Sequence, residues 1–503
     1  MPQARLLLLS TADTDLLTAV RADDRWAVAN PARTSADELP ALLEHTDIAV
    51  VRLLGGREAW PEGLDAMRAS GVPTVVVSGE SSPDARLHEL STVPSGIATQ
   101  THRYLVAAGP ANLAQLAAFL CDTLLLTGEA FEPPAEQPRF GLHVRDGAAN
   151  DGPESGDEQR SDDGRPVVGI VFYRSHELSG NTAFIDVLCE QIHDAGGTPL
   201  PIFTDTLRGT DRAEYAELRA LLGRADVLIT TVLASGGLVA GNTAAGENDD
   251  AWSTALFDEL GVTVLQGLTL TSTRDAWQAS DGAMNPMDAA TQIALPEFDG
   301  RIIGVPFSFK EVGDDGVPRY VADSERARRL AGIAVRTARL GRIPNAEKRI
   351  ALVLSNYPTK HARVGNAVGL DTPASAVELL RTLRDAGYDI GDLDLDALGR
   401  GADDDGSDLP PGDALVHRLI AAGGHDVEFL TEEQLADAAA SIPASTYTRW
   451  FGTLPASLRE GIVDAWGEAP GELYVDTTHE EPAIAVAGLV FGNVVLMIQP
   501  PRG

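Results

Sequence analysis

Continuous apolar runs of strand length alternate with helix-period segments along almost the whole chain. The runs read RLLLLS (5–10), DIAVVRLLG (47–55), VPTVVVSG (72–79), VVGIVFY (167–173), TPLPIF (198–203), DVLITTVL (226–233), VTVLQGL (262–268), RIIGVPF (301–307) and RIALVLS (349–355). Most are Val-, Leu- and Ile-rich without polar alternation, the texture of strands buried on both faces as in parallel sheets. NLAQLAAFLCDTLLLTG (112–128), NTAFIDVLCEQIHDAGG (181–197), RAEYAELRALLG (212–223) and SERARRLAGIAVRTARLG (324–341) supply helices between them. Strands alternating with helices imply parallel sheets joined by right-handed crossovers. The predicted class is therefore α/β, built from several doubly wound parallel-sheet units of the Rossmann or flavodoxin kind.

Composition divides this pattern. Residues 131–165 contain RDGAANDGPESGDEQRSDDGRP, rich in Pro, Gly and acids and poor in apolar residues, which reads as a linker or disordered tether. The expected organisation is an α/β domain over 1–130, the linker over 131–165, a second α/β domain over 166–345 and a third α/β unit over 346–503. One order of parts occurs twice: strand, polar loop with a histidine, Gly-Asn, helix, Asp-Ala-Gly. His176, Gly180-Asn181 and Asp194-Ala195-Gly196 match His361, Gly365-Asn366 and Asp385-Ala386-Gly387. The last run, GLVFGNVVLMIQPPRG, is strand-like up to the final Pro-Pro, and a continuation beyond residue 503 is expected.

A formal net charge of −35 argues against nucleic-acid binding and against docking on anionic lipid. Lys310, Lys348 and Lys360 are the only lysines. Cys121 and Cys189 sit in apolar helical patterns, so they read as small buried hydrophobes rather than a disulfide framework or zinc site. The apolar stretch at the N-terminus is too short for a signal peptide or span, and a cytoplasmic location is expected.

Between strand 349–355 and the helix beginning near Thr372 lie sixteen residues, 356–371, with neither strand nor helix period. Loops that long are usually functional or disordered. Lys360, His361 and Arg363 place cations there, and Asn356, Tyr357 and Asn366 add neutral hydrogen-bonding groups. Such a set suits an anionic or amide-bearing ligand, each charged hydrogen bond contributing about 1.5–3 kcal/mol. A solvated surface loop paired with nearby acids is the competing reading. The matching stretch YRSHELSGN (173–181) offers Arg174, His176 and Asn181. Its HELSG is not HExxH, so no zincin site follows. In open α/β sheets, ligands bind at the carboxyl ends of the strands, where both stretches lie. TVLASGGLVAGNTAAG (231–246) is glycine-rich after a strand, but GxxxxGK[ST] and GxGxxG are both absent. MNPMDAATQIALPEFDG (284–300) reads as a capped helix ending at Pro296. His479 in DTTHEEP reads as part of a solvated turn, and the histidines show no metal-ligand spacing. These residues alone take the argument to a multidomain α/β ligand-binding protein.

The stretch LVLSNYPTKHARVGNAVGLDTPASAVELLRTLRDAGY resembles the family of the aerobic cobaltochelatase large subunit (CobN) and the magnesium chelatase large subunit, in its N-terminal portion. VTVLQGLTLTSTRDAW, MNPMDAATQIALPEFDGRIIGVPFSFKE, GELYVDTTHEEPAIAVAGLVFGNVVLMIQPPRG and YRSHELSGNTAFIDVLCEQIHDAGG resemble the same family, closer in phrasing to the cobalt branch. The resemblance implies a tetrapyrrole-binding subunit that holds the site of metal insertion. Separate AAA+ ATPase and adaptor subunits hydrolyse ATP, and no cofactor is bound firmly by this chain. In the cobalt branch Co2+ is a substrate, inserted into the corrinoid hydrogenobyrinic acid a,c-diamide during cobalamin synthesis. A magnesium chelatase acting on a porphyrin and a non-catalytic tetrapyrrole-binding module are the alternatives. Family members are more than twice as long, so catalytic residues are expected outside this chain. The chain alone is then expected to be inactive, and a separate C-terminal half is a further expected partner.

Overall fold

The computed structural model describes residues 4–35, 37–144, 164–207, 213–233, 255–313, 315–355, 364–365, 367–400, 406–423, 431–436, 438, 440–478 and 480–499. The chain forms two compact units, Met1–Gly341 and Arg342–Gly503. Among the described residues, no helix is long and apolar enough to cross a membrane.

The first unit contains two sheets. One has the order β2–β1–β3–β4, with β1 Leu6–Ser10, β2 Trp26–Ala29, β3 Ile48–Leu53 and β4 Thr74–Ser78, all parallel. The unbroken leucines of β1 serve both faces: Leu6 and Leu8 enter one core, Leu7 and Leu9 the other. Helices α1 (Asp13–Ala22), α2 (Ser95–Ala107) and α3 (Pro110–Leu125) contribute to the first of these cores.

The second sheet has seven strands in the order β11–β10–β9–β8–β6–β7–β5. These are β5 Phe140–Leu142, β6 Val167–Tyr173, β7 Thr198–Thr204, β8 Val227–Thr230, β9 Thr263–Leu270, β10 Ile302–Val312 and β11 Pro318–Ala322. The five inner strands run parallel, and the edge strands β5 and β11 run antiparallel to their neighbours. Helix α4 (Arg174–Ser179) follows β6, α5 (Ala183–Asp194) packs beneath it, and α6 (Ser324–Arg342) closes the same face. Val317, beside the turn between β10 and β11, is buried in the core of the first sheet and ties the two sheets together.

Three local readings change. The polar stretch after β6 is helical at once: α4 ends at Gly180, whose φ of 68° suits a left-handed C-cap, with its N–H bonded to the Glu177 and His176 carbonyls. The 284–300 helix does not stop at Pro296. It starts at Pro286 behind an Asn285 cap, widens into a π-helical turn over Ala290–Ala294 and continues through Leu295–Phe298. Proline lacks an N–H and its ring crowds the carbonyl four residues back, and a wider turn accommodates both. Within 131–165, Phe140–Leu142 is edge strand β5, and residues 145–163 lie outside the described residues.

The second unit has a small sheet ordered β12–β17–β16 and another ordered β13–β15–β14. Here β12 is Ile350–Leu354, β13 Ala440–Pro443, β14 Val475–Asp476, β15 Ala483–Val486, β16 Gly488–Phe491 and β17 Val494–Ile498. β12 and β17 are parallel, while β16 returns antiparallel. Helices α7 (Thr372–Asp385), capped by the Asp371 side chain, and α8 (Pro411–Ala421) cover one face. The two copies of the recurring order share backbone geometry. Gly180 and Gly365 lie at φ 68° and 71°, and Gly196 and Gly387 at 81° and 83°.

Candidate functional site

The carboxyl ends of both sheets in the first unit meet at a cleft of about 300 Å3. Ser10 ends β1, Leu54 and Gly79 follow β3 and β4, Tyr173 and Arg174 join β6 to α4, and Asp205 follows β7. A chain leaving a parallel strand must turn there, so loop groups and helix starts collect on that side.

The two guanidinium groups in the cleft are committed to the framework. Arg52 donates to Asp15 Oδ1 at 2.8 Å and to the carbonyls of Leu105, Gly79 and Ser78 at 3.2, 3.2 and 3.4 Å. Asp15 also accepts from Ser10 Oγ at 2.6 Å. Arg174 donates through Nε to the Pro138 carbonyl at 2.7 Å and through Nη2 to Ala107 and Gln137 at 3.2 and 3.4 Å. It thus fastens α2 and the segment before β5 to α4, and burial pushes its guanidinium pKa down. Asp205 accepts from Arg139 Nε at 2.7 Å and Tyr215 OH at 3.2 Å. Besides the carboxylates of Asp15 and Asp205, the cleft offers hydroxyl and carbonyl groups and an apolar rim of Leu54, Leu105 and Leu178.

Of the residues expected to bind ligand, Arg174 lines this cleft, whereas His176 and Asn181 do not. The His176 ring stands edge-on to Phe184 and Tyr320, each 5.4 Å away, and its Nδ1 lies 3.4 Å from Asn181 Nδ2. Burial, followed by the nearby Lys310 charge, pushes His176 down to about 4, so it is neutral near neutrality. Asn181 Oδ1 accepts from the Tyr320 N–H at 3.1 Å, binding the end of α4 to β11. Asn356, Tyr357, Lys360, His361, Arg363 and Asn366 lie outside the described residues, as does most of the glycine-rich stretch after β8.

Sequence reasoning missed two polar clusters. His143, just past β5, sits between Glu177 Oε2 (2.7 Å from Nδ1) and Asp186 Oδ1 (3.1 Å from Nε2). Burial opposes its charge, but Asp186 and Glu177 outweigh that and raise its pKa to about 9. Its two carboxylates lie one on α4 and one on α5, so only the fold brings them together. The second cluster joins α1 to β10: Asp13 accepts from Lys310 Nζ at 2.7 Å and from Asn30 Nδ2 at 3.0 Å, and pairs with Arg33. The 284–300 motif has a structural place. Asp288 accepts from the Thr271 N–H at 3.0 Å and Asn285 Nδ2 at 2.8 Å, and the Gln292 amide brackets the Thr269 backbone, so β9 is pinned to the following helix. Among the described residues, no group of three or more His, Cys, Asp or Glu side chains converges as metal ligands.

Two sheets of mainly parallel strands with a cleft at their carboxyl ends define an α/β scaffold. The chain belongs to the CobN/Magnesium Chelatase family, whose model matches residues 102–503. It is 33% identical to aerobic cobaltochelatase subunit CobN of Pseudomonas aeruginosa, over 99% of this chain and 39% of that protein. The catalytic subunit of cobaltochelatase from Mycobacterium tuberculosis is 46% identical in sequence, with a TM-score of 0.71. That match covers 100% of this chain and 39% of the other. The magnesium-chelatase H protein of Rhodobacter capsulatus is 27% identical over 67% of this chain and 26% of that protein. The chain therefore spans about two fifths of the length of its cobaltochelatase relatives.

Proposed function

We propose that this chain is the N-terminal portion of the tetrapyrrole-binding large subunit of an ATP-dependent cobaltochelatase, acting in the cytoplasm. Its reaction inserts Co2+ into hydrogenobyrinic acid a,c-diamide in cobalamin biosynthesis, and AAA+ ATPase and adaptor subunits hydrolyse the ATP. The likeness to the M. tuberculosis catalytic subunit along the whole chain is the observation that carries this reading. The division of labour is supported by a sequence that has no phosphate-cradling GxxxxGK[ST] loop of its own.

A cavity of about 300 Å3 is at the small end of ligand pockets and smaller than a corrin with its side chains. The cleft accordingly takes a peripheral side chain of the macrocycle. With Arg52 and Arg174 already bonded to internal partners, its hydroxyls and carbonyls suit an amide better than a free carboxylate. Independently of that cleft, Lys360, His361 and Arg363, with Asn356, Tyr357 and Asn366, are proposed on sequence grounds to bind substrate carboxylates. Arg174, His176 and Asn181 keep α4 in place beside the cleft.

Absorbance titration tests the proposal. Hydrogenobyrinic acid a,c-diamide should bind at least about tenfold more tightly than protoporphyrin, a difference of about 1.4 kcal/mol. The reverse order would favour the second reading, a magnesium chelatase, for which the R. capsulatus likeness is the specific support. Lys360→Ala combined with Arg363→Ala should weaken corrinoid binding by about tenfold. Cobalt insertion assayed with the ATPase and adaptor subunits, with and without the remainder of the large subunit, distinguishes an enzyme portion from a non-catalytic binding module.

A further inference from the structure

The sheet β12–β17–β16 has one covered face and one open face. Ile350, Leu352 and Leu354 of β12, Val494, Leu496 and Ile498 of β17, and Leu489 and Phe491 of β16 pack with α7 and α8. The other face is also apolar. Its cross-strand rows are Ala351–Val495–Val490 and Val353–Met497–Gly488, aligned by the strand register. Val353 is 56% exposed and Val490 51% exposed. A parallel strand pair is almost always covered on both sides, and a contiguous apolar surface on a soluble fold marks an interaction site. Neither of these rows contains a charged residue, although the chain has a net charge of −35. Exposed large apolar side chains are also denser in the second unit. Eleven fall among the described residues of Arg342–Gly503, against thirteen in the first unit, which is about twice as long.

About three fifths of the length of the M. tuberculosis and P. aeruginosa relatives lies outside the match. We infer that the open face of β12–β17–β16 is the docking surface for that remaining large-subunit polypeptide, which covers it with the apolar side of a helix. A helix is the expected covering element because β12 and β17 form a parallel pair, and α7 and α8 cover only one of its faces. Apolar recognition also sets a salt signature. The contact holds from about 0.1 to about 1 M salt, where exposed ion pairs are screened away. This inference rests on the chain being one portion of a chelatase large subunit.

The test is co-expression of the 503-residue chain with a tagged polypeptide equivalent to the part of the P. aeruginosa relative outside the match. Sedimentation should give a 1:1 complex that survives high salt. Val353→Asp with Val490→Asp should reduce complex formation at least about tenfold and leave the melting temperature of the chain alone unchanged. If aspartate lowers that melting temperature, Val353→Thr with Val490→Thr replaces it, with weakened association again expected. Three results overturn the inference: no complex with the unaltered chain, full complex with either double variant in folded form, or a homodimer of the chain that the variants split, which would assign the face to a second copy. Corrinoid titration is read separately. Intact docking without corrinoid binding sinks only the substrate assignment, and the converse sinks only the docking surface.

Discussion

The seven-stranded sheet and the β12–β17–β16 sheet begin from the same recurring order of strand, polar connection, Gly-Asn and helix, yet they end with different surroundings. In β6, Val168, Ile170 and Phe172 enter one core and Val167 and Val171 another. In β12, Ile350, Leu352 and Leu354 enter a core while Val353 faces solvent. Both strands are apolar throughout, and both following helices end in a left-handed glycine, Gly196 or Gly387. The repeated pattern therefore sets local geometry, and coverage comes from other parts of the chain. Helix α6 and the helix Ala216–Leu222 supply it on opposite faces of the larger sheet. A strand whose sequence is suited to burial on two sides, but which is buried on one, marks where a further element belongs.

The largest expected effect lies in the doubly covered sheet. Phe184→Ala removes a fully buried ring shared by α5 and β10 and should cost about 3–5 kcal/mol in urea denaturation. Leu496→Ala, on the covered face of β17, should cost about 2–5 kcal/mol in the second unit. Val353→Ala, on the open face, should change stability by no more than about 0.5 kcal/mol. Equal losses for Leu496→Ala and Val353→Ala would break the comparison, because they would mean the open face is packed in the isolated chain.

Much of this scaffold is legible in the sequence because buried parallel strands are written as unbroken apolar runs. VVGIVFY is β6 from Val167 to Tyr173, and RLLLLS contains β1. Edge elements are harder to read. Phe140–Leu142 is too short to stand out from a charged, proline-rich stretch, and β10 runs on to Val312 through polar residues that an apolar pattern does not predict. The cleft is legible only by rule, as the carboxyl side of the strands. That Arg174 lines it and His176 turns toward Tyr320 depends on α4 being helical, which fans adjacent side chains apart. His143 between Glu177 and Asp186 needs pairs separated by 34 and 43 residues, a distance that no local motif spans.

That histidine sharpens the comparison through pH. His143 is 7% exposed, and its folded pKa of about 9 lies above the ordinary 6.5. The folded state therefore binds the proton more tightly than the unfolded chain. The stabilisation is fully present below about pH 6.5 and is lost as pH rises through about 9. A contribution on the order of 3 kcal/mol is expected, and His143→Gln should flatten the decline of melting temperature between about pH 6.5 and about pH 9. The cross-strand rows on the open face of the smaller sheet contain no ionisable side chain, so docking there should not follow this profile.

A weaker polar interaction than that of His143 ties the two sheets of the first unit together. Burial works against the Asp13 charge, but hydrogen bonds from Arg33 and Lys310 more than offset it and hold the carboxyl below its ordinary range. A lowered carboxyl pKa stabilises the fold above the unfolded value of about 4, and the gain disappears as pH falls through the lower folded value. Arg33 is substantially exposed and Lys310 partly so, which brings the pair toward the modest range of surface ion pairs. Asp13→Asn should therefore cost about 1 kcal/mol at neutral pH and low salt, and less at high salt. Lys310→Met should cost less than Asp13→Asn, since Arg33 and Asn30 still satisfy the carboxylate. If Lys310→Met instead cost as much as Leu496→Ala, the sheets of the first unit would be held together by charge rather than by the buried Val317. The contrast between a scaffold held by apolar cores and one held by polar ties would then have to be redrawn.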